Sequence, residues 1–231
     1  MRVISSFLLP LFFIGCGAIE ERYSLDENSE EPVKEANVGI AFHTATGWQN
    51  VVNFFVESNA PDQVVEASLA AADTWNDAIG YPLLRFSGVV EHDRGDSLYN
   101  SLDDSQTVIY YEQDWLKTTG KRTTTLATTI WENAAESDEI VKGDIILNAE
   151  LYVYQDSTET AKDPSRTDYI VDSETVLLHE FGHLIGLDHI AEEDDEDSIM
   201  HTKTFIGAYI YSREVSASDQ ANIASLYDRL N

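Results

Sequence analysis

The residues best equipped for chemistry stand close together: His179, Glu180, His183 and His189, in the frame H-E-x-x-H-x-x-G-x-x-H. On an α-helix, residues four apart share a face about one turn along, so His179 and His183 can offer two imidazole nitrogens to one ion. Glu180 sits beside the first histidine, where its carboxylate can reach a water on the metal instead of the metal itself, the position of a general base. Gly186 suits a helix interior poorly but tolerates positive φ, so it can end the helix and turn the chain until His189 points back as the third ligand. Three protein ligands leave a fourth position for water, the arrangement of a catalytic Zn2+ ion and not of a closed structural site. With equal residue frequencies this five-letter frame recurs at roughly one position in 3 million, against roughly one in 8,000 for H-E-x-x-H alone, so the longer form is specific.

A helix must carry His179 and His183, and Asp172 or Ser173 can cap it with Glu174 in its first turn. Upstream, Pro61 to Ile79 has Val65, Leu69, Ala72, Trp75 and Ile79 at helical spacing, with Gly80 and Pro82 to close it and Trp75 as a core anchor. Apolar runs predict five strands: Val38 to His43, Leu83 to Val90, Thr107 to Tyr111, Leu126 to Trp131 and Gly143 to Asn148. His43, without a ligand-type neighbour in sequence, reads as a packed or edge histidine. The polar, glycine-containing run 113–125 reads as a surface loop. Ile223, Leu226, Tyr227 and Leu230 predict a final helix, with Ser216 or Ser218 as its cap.

The chain has 231 residues, enough for one domain of ordinary size with appendages. With 42 acidic against 14 basic residues its net charge is −28, which repels a phosphate backbone and argues against a nucleic-acid partner. The acidic runs 91–96 and 192–197 offer oxygens of the kind Ca2+ takes; the second has no glycine-turn spacing, and the simpler expectation is solvated loops.

Residues 1–15 have the shape of a processing signal: Met1-Arg2, an apolar run from Val3 to Ile14 too short to span a bilayer comfortably, then Gly15 before Cys16. Phe13-Ile14-Gly15-Cys16 resembles the lipobox of bacterial lipoproteins, with Phe13 where leucine is usual. That resemblance implies lipidation of Cys16, the sole cysteine. It also implies a lipid-anchored protein of the bacterial cell envelope, and Gly17 in place of Asp points to the outer membrane or cell surface. A plain secretory signal, giving a secreted protein, is the alternative. Residues 16–36 then form a lipidated cysteine and an acidic, flexible tether, and 37–231 the folded domain.

On these residues the chain resembles a metzincin metallopeptidase, most similar to the matrixin branch. The zinc frame carries the resemblance. Ser198-Ile199-Met200 matches the methionine-containing turn that lies beneath the zinc in that family, and Trp75 with Phe86, Gly143 to Asn148, and Ser216 to Asp219 with Ile223 and Leu226-Tyr227 match flanking elements. The resemblance implies an α+β zincin-like domain: a twisted five-stranded mixed sheet, a long first helix, an active-site helix and a C-terminal helix. It implies a zinc endopeptidase with one catalytic Zn2+, Glu180 as general base, and a protein or peptide substrate lying along the edge strand at Leu126 and Ala127. Differences accompany it. Ile190 follows the third histidine where matrixins carry serine, and no Tyr-Pro follows Met200. Ile146 stands where many matrixins place a histidine for a second, structural zinc. No Pro-Arg-Cys-Gly element precedes the domain, so a cysteine-switch latency is not expected, and control by another protein is. Two readings from other classes stand beside the peptidase. One is a non-enzymatic surface lipoprotein that uses such a domain to bind a partner, for which Glu180 would be superfluous. The other is a metal-storage protein, which several loosely held ions per chain would reveal.

Overall fold

The computed structural model describes residues 14–15, 43–44, 46–91, 102, 106–157, 169–191, 194–202 and 213–227. Cys16, the tether, the acidic runs at 92–96 and 192–193, and Leu230 lie outside the described residues. One sheet organises the rest. Its strands are β1 (Ile14–Gly15), β2 (Val52–Glu57), β3 (Leu84–Val90), β4 (Thr107–Glu112), β5 (Ala127–Asn133) and β6 (Ile140–Asn148), in the spatial order β1-β5-β6-β4-β2-β3. β6, β4, β2 and β3 run parallel, while β5 is antiparallel to β6. The expected mixed sheet of five strands is therefore present, and two residues, Ile14–Gly15, extend it by lying antiparallel on β5 opposite Thr129 and Thr128.

The membership of the five differs from the expectation. Of the predicted first strand, only His43 falls within the described residues, and the strand that pairs between β3 and β4 is β2. Its run Val52-Asn53-Phe54-Phe55-Val56 alternates inward-facing Val52, Phe54 and Val56 with more exposed neighbours, the pattern of a strand with one well-buried face. The parallel interior strands β4 and β6 are instead buried almost residue by residue, because both faces of the sheet are covered. On one face Val108, Tyr110, Ile130 and Ile146 pack with Trp115. On the other lies the main core, in which α1 (Asp62–Ile79), α3 (Ser173–Leu184) and α4 (Ala217–Tyr227) take part.

The 113–125 run is not wholly a surface loop. It contains a short helix, α2 (Trp115–Thr119), ended by Gly120 at φ 66°, whose Trp115 is fully buried and donates its indole N–H to Arg122 O at 3.0 Å. A single large aromatic side chain with a satisfied polar end is enough to pin an otherwise polar connection.

α1 ends as its sequence predicts, on Gly80 at φ 85° with its amide bonded to Asn76 O. Ala72, Trp75 and Ile79 face inward as predicted, whereas nearer the helix start the buried face is Val64, Ala67 and Ala71, and Leu69 is 40% exposed. α1 packs against α3 through Trp75, which reaches Leu178 and Gly182. β7 (Val153–Gln155) and β8 (Ile170–Asp172) form a small parallel pair that leads directly into α3. Among the described residues no helix is long and apolar enough to cross a membrane.

Candidate active site

α3 begins where predicted. The Asp172 carboxylate accepts from the Thr175 amide at 3.0 Å and the Thr175 hydroxyl at 2.8 Å, so it caps the helix that carries the histidines. Arg213, just ahead of α4, holds the same carboxylate through Nε at 3.0 Å and Nη2 at 2.5 Å, and also reaches Asp156 and Glu174. Burial alone would push the Asp172 carboxyl up, but Arg213, the Ser157 amide and Thr175 together hold it below the usual carboxylate range.

The C-terminal end of α3 is held by three aromatic donors from two distant parts of the chain. His43 Nε2 donates to His183 O at 2.8 Å, Trp48 Nε1 to Leu184 O at 2.7 Å, and Tyr227 Oη to Ile185 O at 2.8 Å. They satisfy carbonyls that a helix end leaves without intrahelical partners. Further back, Trp75 Nε1 donates to Leu178 O at 2.7 Å. His43 is thus the packed histidine its sequence context suggests, stacked on Trp131 with ring centroids 3.9 Å apart. Gly186 follows at φ 112°, and a Cβ there would also run into Thr44, so both conformation and space call for glycine.

This turn brings His189 back to the helix. The Nε2 atoms of His179, His183 and His189 lie 3.1, 3.1 and 3.3 Å from one another. A tetrahedral Zn2+ with nitrogen ligands at roughly 2.0–2.1 Å requires ligand nitrogens about 3.3 Å apart, so the triangle has the right size. The far sides of the rings agree. His179 Nδ1 donates to Ile199 O at 2.7 Å and His183 Nδ1 to Leu187 O at 2.9 Å, which leaves each Nε2 as a lone pair aimed at the centre. Lone pairs brought this close repel unless a cation lies between them. Among the described residues these three form the one group of three or more His, Cys, Asp or Glu side chains close enough together to hold a metal ion.

Burial, then the neighbouring imidazoles, drives the histidines toward the neutral donor form. His179 and His189 are pushed down to about 4, and His183 well below its ordinary value. The metal-free protein should therefore bind fewer protons when folded than when unfolded between about pH 4 and the ordinary histidine value near 6.5. The stabilisation is complete above about 6.5 and is lost as pH falls toward 4. Denaturant melts of the metal-free chain at successive pH values should show the midpoint falling through that window, and a flat profile there would contradict the neutral-donor assignment.

Glu180 is almost wholly buried, and its Oε2 accepts from Thr129 Oγ1 on β5 at 2.6 Å. Met200 is fully buried against the helix that carries His179 and His183. A Cβ on Gly182 would collide with its Sδ and approach Trp75 to 3.1 Å, which explains a glycine between the two helical histidines. The turn bearing Met200 is fixed by Asp219 on α4: its carboxylate accepts from Ser198 Oγ at 2.6 Å, the Ile199 amide at 2.9 Å and the Ser216 amide at 3.0 Å. Because Ile199 O orients His179, this carboxylate supports a ligand at one remove. Asp219→Ala strands those buried donors and should cost roughly 2–3 kcal/mol in denaturant melts. Ile190, the residue after the third histidine, bonds through its amide to Met200 O at 3.0 Å and so ties the ligand segment to the same turn.

Of the residues expected to meet substrate, Leu126 turns its carbonyl inward to the Asn148 amide at 2.8 Å and to the Tyr154 hydroxyl. Main-chain directions alternate along a strand, so the outward-facing groups on this edge belong to Ala127 and Thr129. The hydrogen-bonding roles of Thr129, Asp219, Arg213 and the aromatic donors are not legible in the sequence, since each acts through a partner far away in the chain.

The family model described as Matrixin matches residues 56–228. No curated protein matches the chain. Two solved structures of myroilysin are similar to it: one is 14% identical over 79% of this chain and 86% of its own, with a TM-score of 0.31. The other is 15% identical over 80% of this chain and 83% of its own, with a TM-score of 0.33. With the family match spanning most of the chain and the zinc frame folded into a converging triad, the protein belongs to the matrixin family of metallopeptidases.

Proposed function

We propose that the protein is a zinc-dependent endopeptidase that works outside the cytoplasm, with Glu180 as its general base. The observation that carries this reading is the triangle of three lone-pair-bearing histidine nitrogens with a buried carboxylate, Glu180, beside its first member. When bound by His179, His183 and His189, zinc supplies Lewis-acid polarisation of a carbonyl and activation of a water. Glu180 takes the proton of the attacking water and delivers it to the leaving nitrogen. The buried surroundings of the carboxylate keep bulk water from competing for that proton. An extended substrate adds to the sheet along β5, pairing with the outward main-chain groups of Ala127 and Thr129. The antiparallel seating of Ile14–Gly15 on Thr128–Thr129 supports an edge able to accept a strand. In the lipoprotein reading Cys16 becomes the first, lipid-bearing residue of the mature chain, Ile14–Gly15 leaves with the signal, and β5 becomes the free edge.

The test is digestion of a mixed peptide library, with the termini of the products sequenced. Internal cuts that stop on chelation and return with added zinc are expected. Trimming from peptide ends alone would sink the endopeptidase assignment, and cutting indifferent to chelation would sink the zinc mechanism.

A further inference from the structure

Thr129 occupies an unusual place. Along β5, Ala127 and Trp131 pack in the main core on the helix side of the sheet, while Ile130 packs on the opposite face. Thr129 belongs to the helix-facing row, only 1% exposed, between an alanine and a tryptophan. Valine has nearly its shape and would suit an apolar row, so a hydroxyl there needs a partner to offset its burial. Both acceptors within its reach belong to one residue: Glu180 Oε2 at 2.6 Å and Glu180 O at 3.1 Å. The hydroxyl has one proton, and the closer side-chain oxygen is the better-placed acceptor. The same residue turns its main-chain groups outward, where Ile14 is its register partner on the added strand.

We propose that Thr129 is a positioning residue for the peptidase reaction: its hydroxyl anchors one oxygen of Glu180, fixing the carboxylate plane so that the other oxygen meets the attacking water. This rests on the peptidase reading above. Because Thr129 holds the base with its side chain and meets an added strand with its backbone, a substrate seated on β5 lies in a fixed relation to the group that takes the proton. A loosened carboxylate should still let substrate bind, so the loss belongs in kcat and not in KM.

The experiment compares the wild-type chain with Thr129→Val, Thr129→Ser and Thr129→Ala, each loaded with zinc and assayed by metal analysis, melting temperature and peptide kinetics. Glu180→Gln serves as the control for the base itself. Crystal structures of the wild type and variants report the carboxylate. Thr129→Val should hold one zinc per chain, lower kcat by about 10- to 100-fold with KM nearly unchanged, and show the carboxylate in more than one orientation. Thr129→Ser should restore kcat and the single orientation. Thr129→Ala should behave as Thr129→Val does, and it carries the comparison if the valine variant fails to fold. Wild-type kcat in a hydroxyl-free variant, or a carboxylate equally ordered without the hydroxyl, overturns the role of Thr129 while leaving the peptidase reading intact. A wild-type chain that cleaves nothing when loaded with zinc, or a Glu180→Gln chain that cleaves as well as wild type, overturns the peptidase reading and the Thr129 role together.

Discussion

Glu180→Gln is expected to lower kcat/KM for peptide cleavage by roughly 10²–10⁴-fold, the range that general acid–base catalysis supplies. The substitution keeps size and leaves an amide oxygen for the Thr129 hydroxyl, so the fold and the triad should be undisturbed. Zinc should remain bound, since the three ligating nitrogens do not include this side chain. Stability should change little, because the substitution keeps the volume of the buried side chain and its hydrogen bond from Thr129. Steady-state kinetics, metal content and melting temperature on one preparation separate these effects. A variant that loses zinc along with activity would move Glu180 from the role of base to that of a structural support.

His183→Ala is expected to have the second large effect, this time on the metal. His183 stands at the centre of the site: its Nε2 lies 3.1 Å from each of the other two, and its Nδ1 ties the turn at Leu187. Without it two ligands remain, and neither can close the triangle. A ligand at 1,000 times its dissociation constant stabilises a fold by about 4 kcal/mol. For a domain of this size that corresponds to roughly 10 °C in Tm. Wild-type protein should therefore gain such a shift when zinc is added to the metal-free chain, and His183→Ala should gain almost none. An equal zinc shift in the variant would place the bound metal elsewhere.

The centre of this site was legible in the sequence because its ligands and base sit within eleven consecutive residues, with His179, Glu180 and His183 on a helix whose period fixes their geometry. Gly186 was legible for the same local reason, and its positive φ is the turn that the third ligand needs. The capping of α3 by Asp172 was offered as one of two choices, and the structure selects it through Thr175. Thr129, Asp219 and Arg213 were not, because a threonine in a strand, an aspartate in a helix and an arginine in a connection have ordinary local explanations. Only the tertiary fold brings Thr129 to Glu180, 51 residues on, and Asp219 to Ser198, 21 residues back.

The sheet was read partly correctly for a related reason. Apolar runs marked β3, β4, β5 and β6, but β2 was missed although its alternation is clear once its pairing with β3 and β4 is seen. In α1 the period holds throughout and the phase holds for Ala72, Trp75 and Ile79, while in the first turns the buried face shifts to Val64, Ala67 and Ala71. Periodicity fixes the spacing of a stripe, whereas which residues face inward depends on what the tertiary fold packs against the helix, here burying alanines 67, 71 and 72.

The central claim, a single zinc ion on the triad that enables peptide cleavage, is tested most directly by titrating the metal-free protein with zinc while following cleavage of a peptide found in the library digest. Cleavage should rise in proportion to added zinc and level off at one ion per chain. A rate that is already full without zinc, or that stays at zero with one equivalent bound, would contradict it.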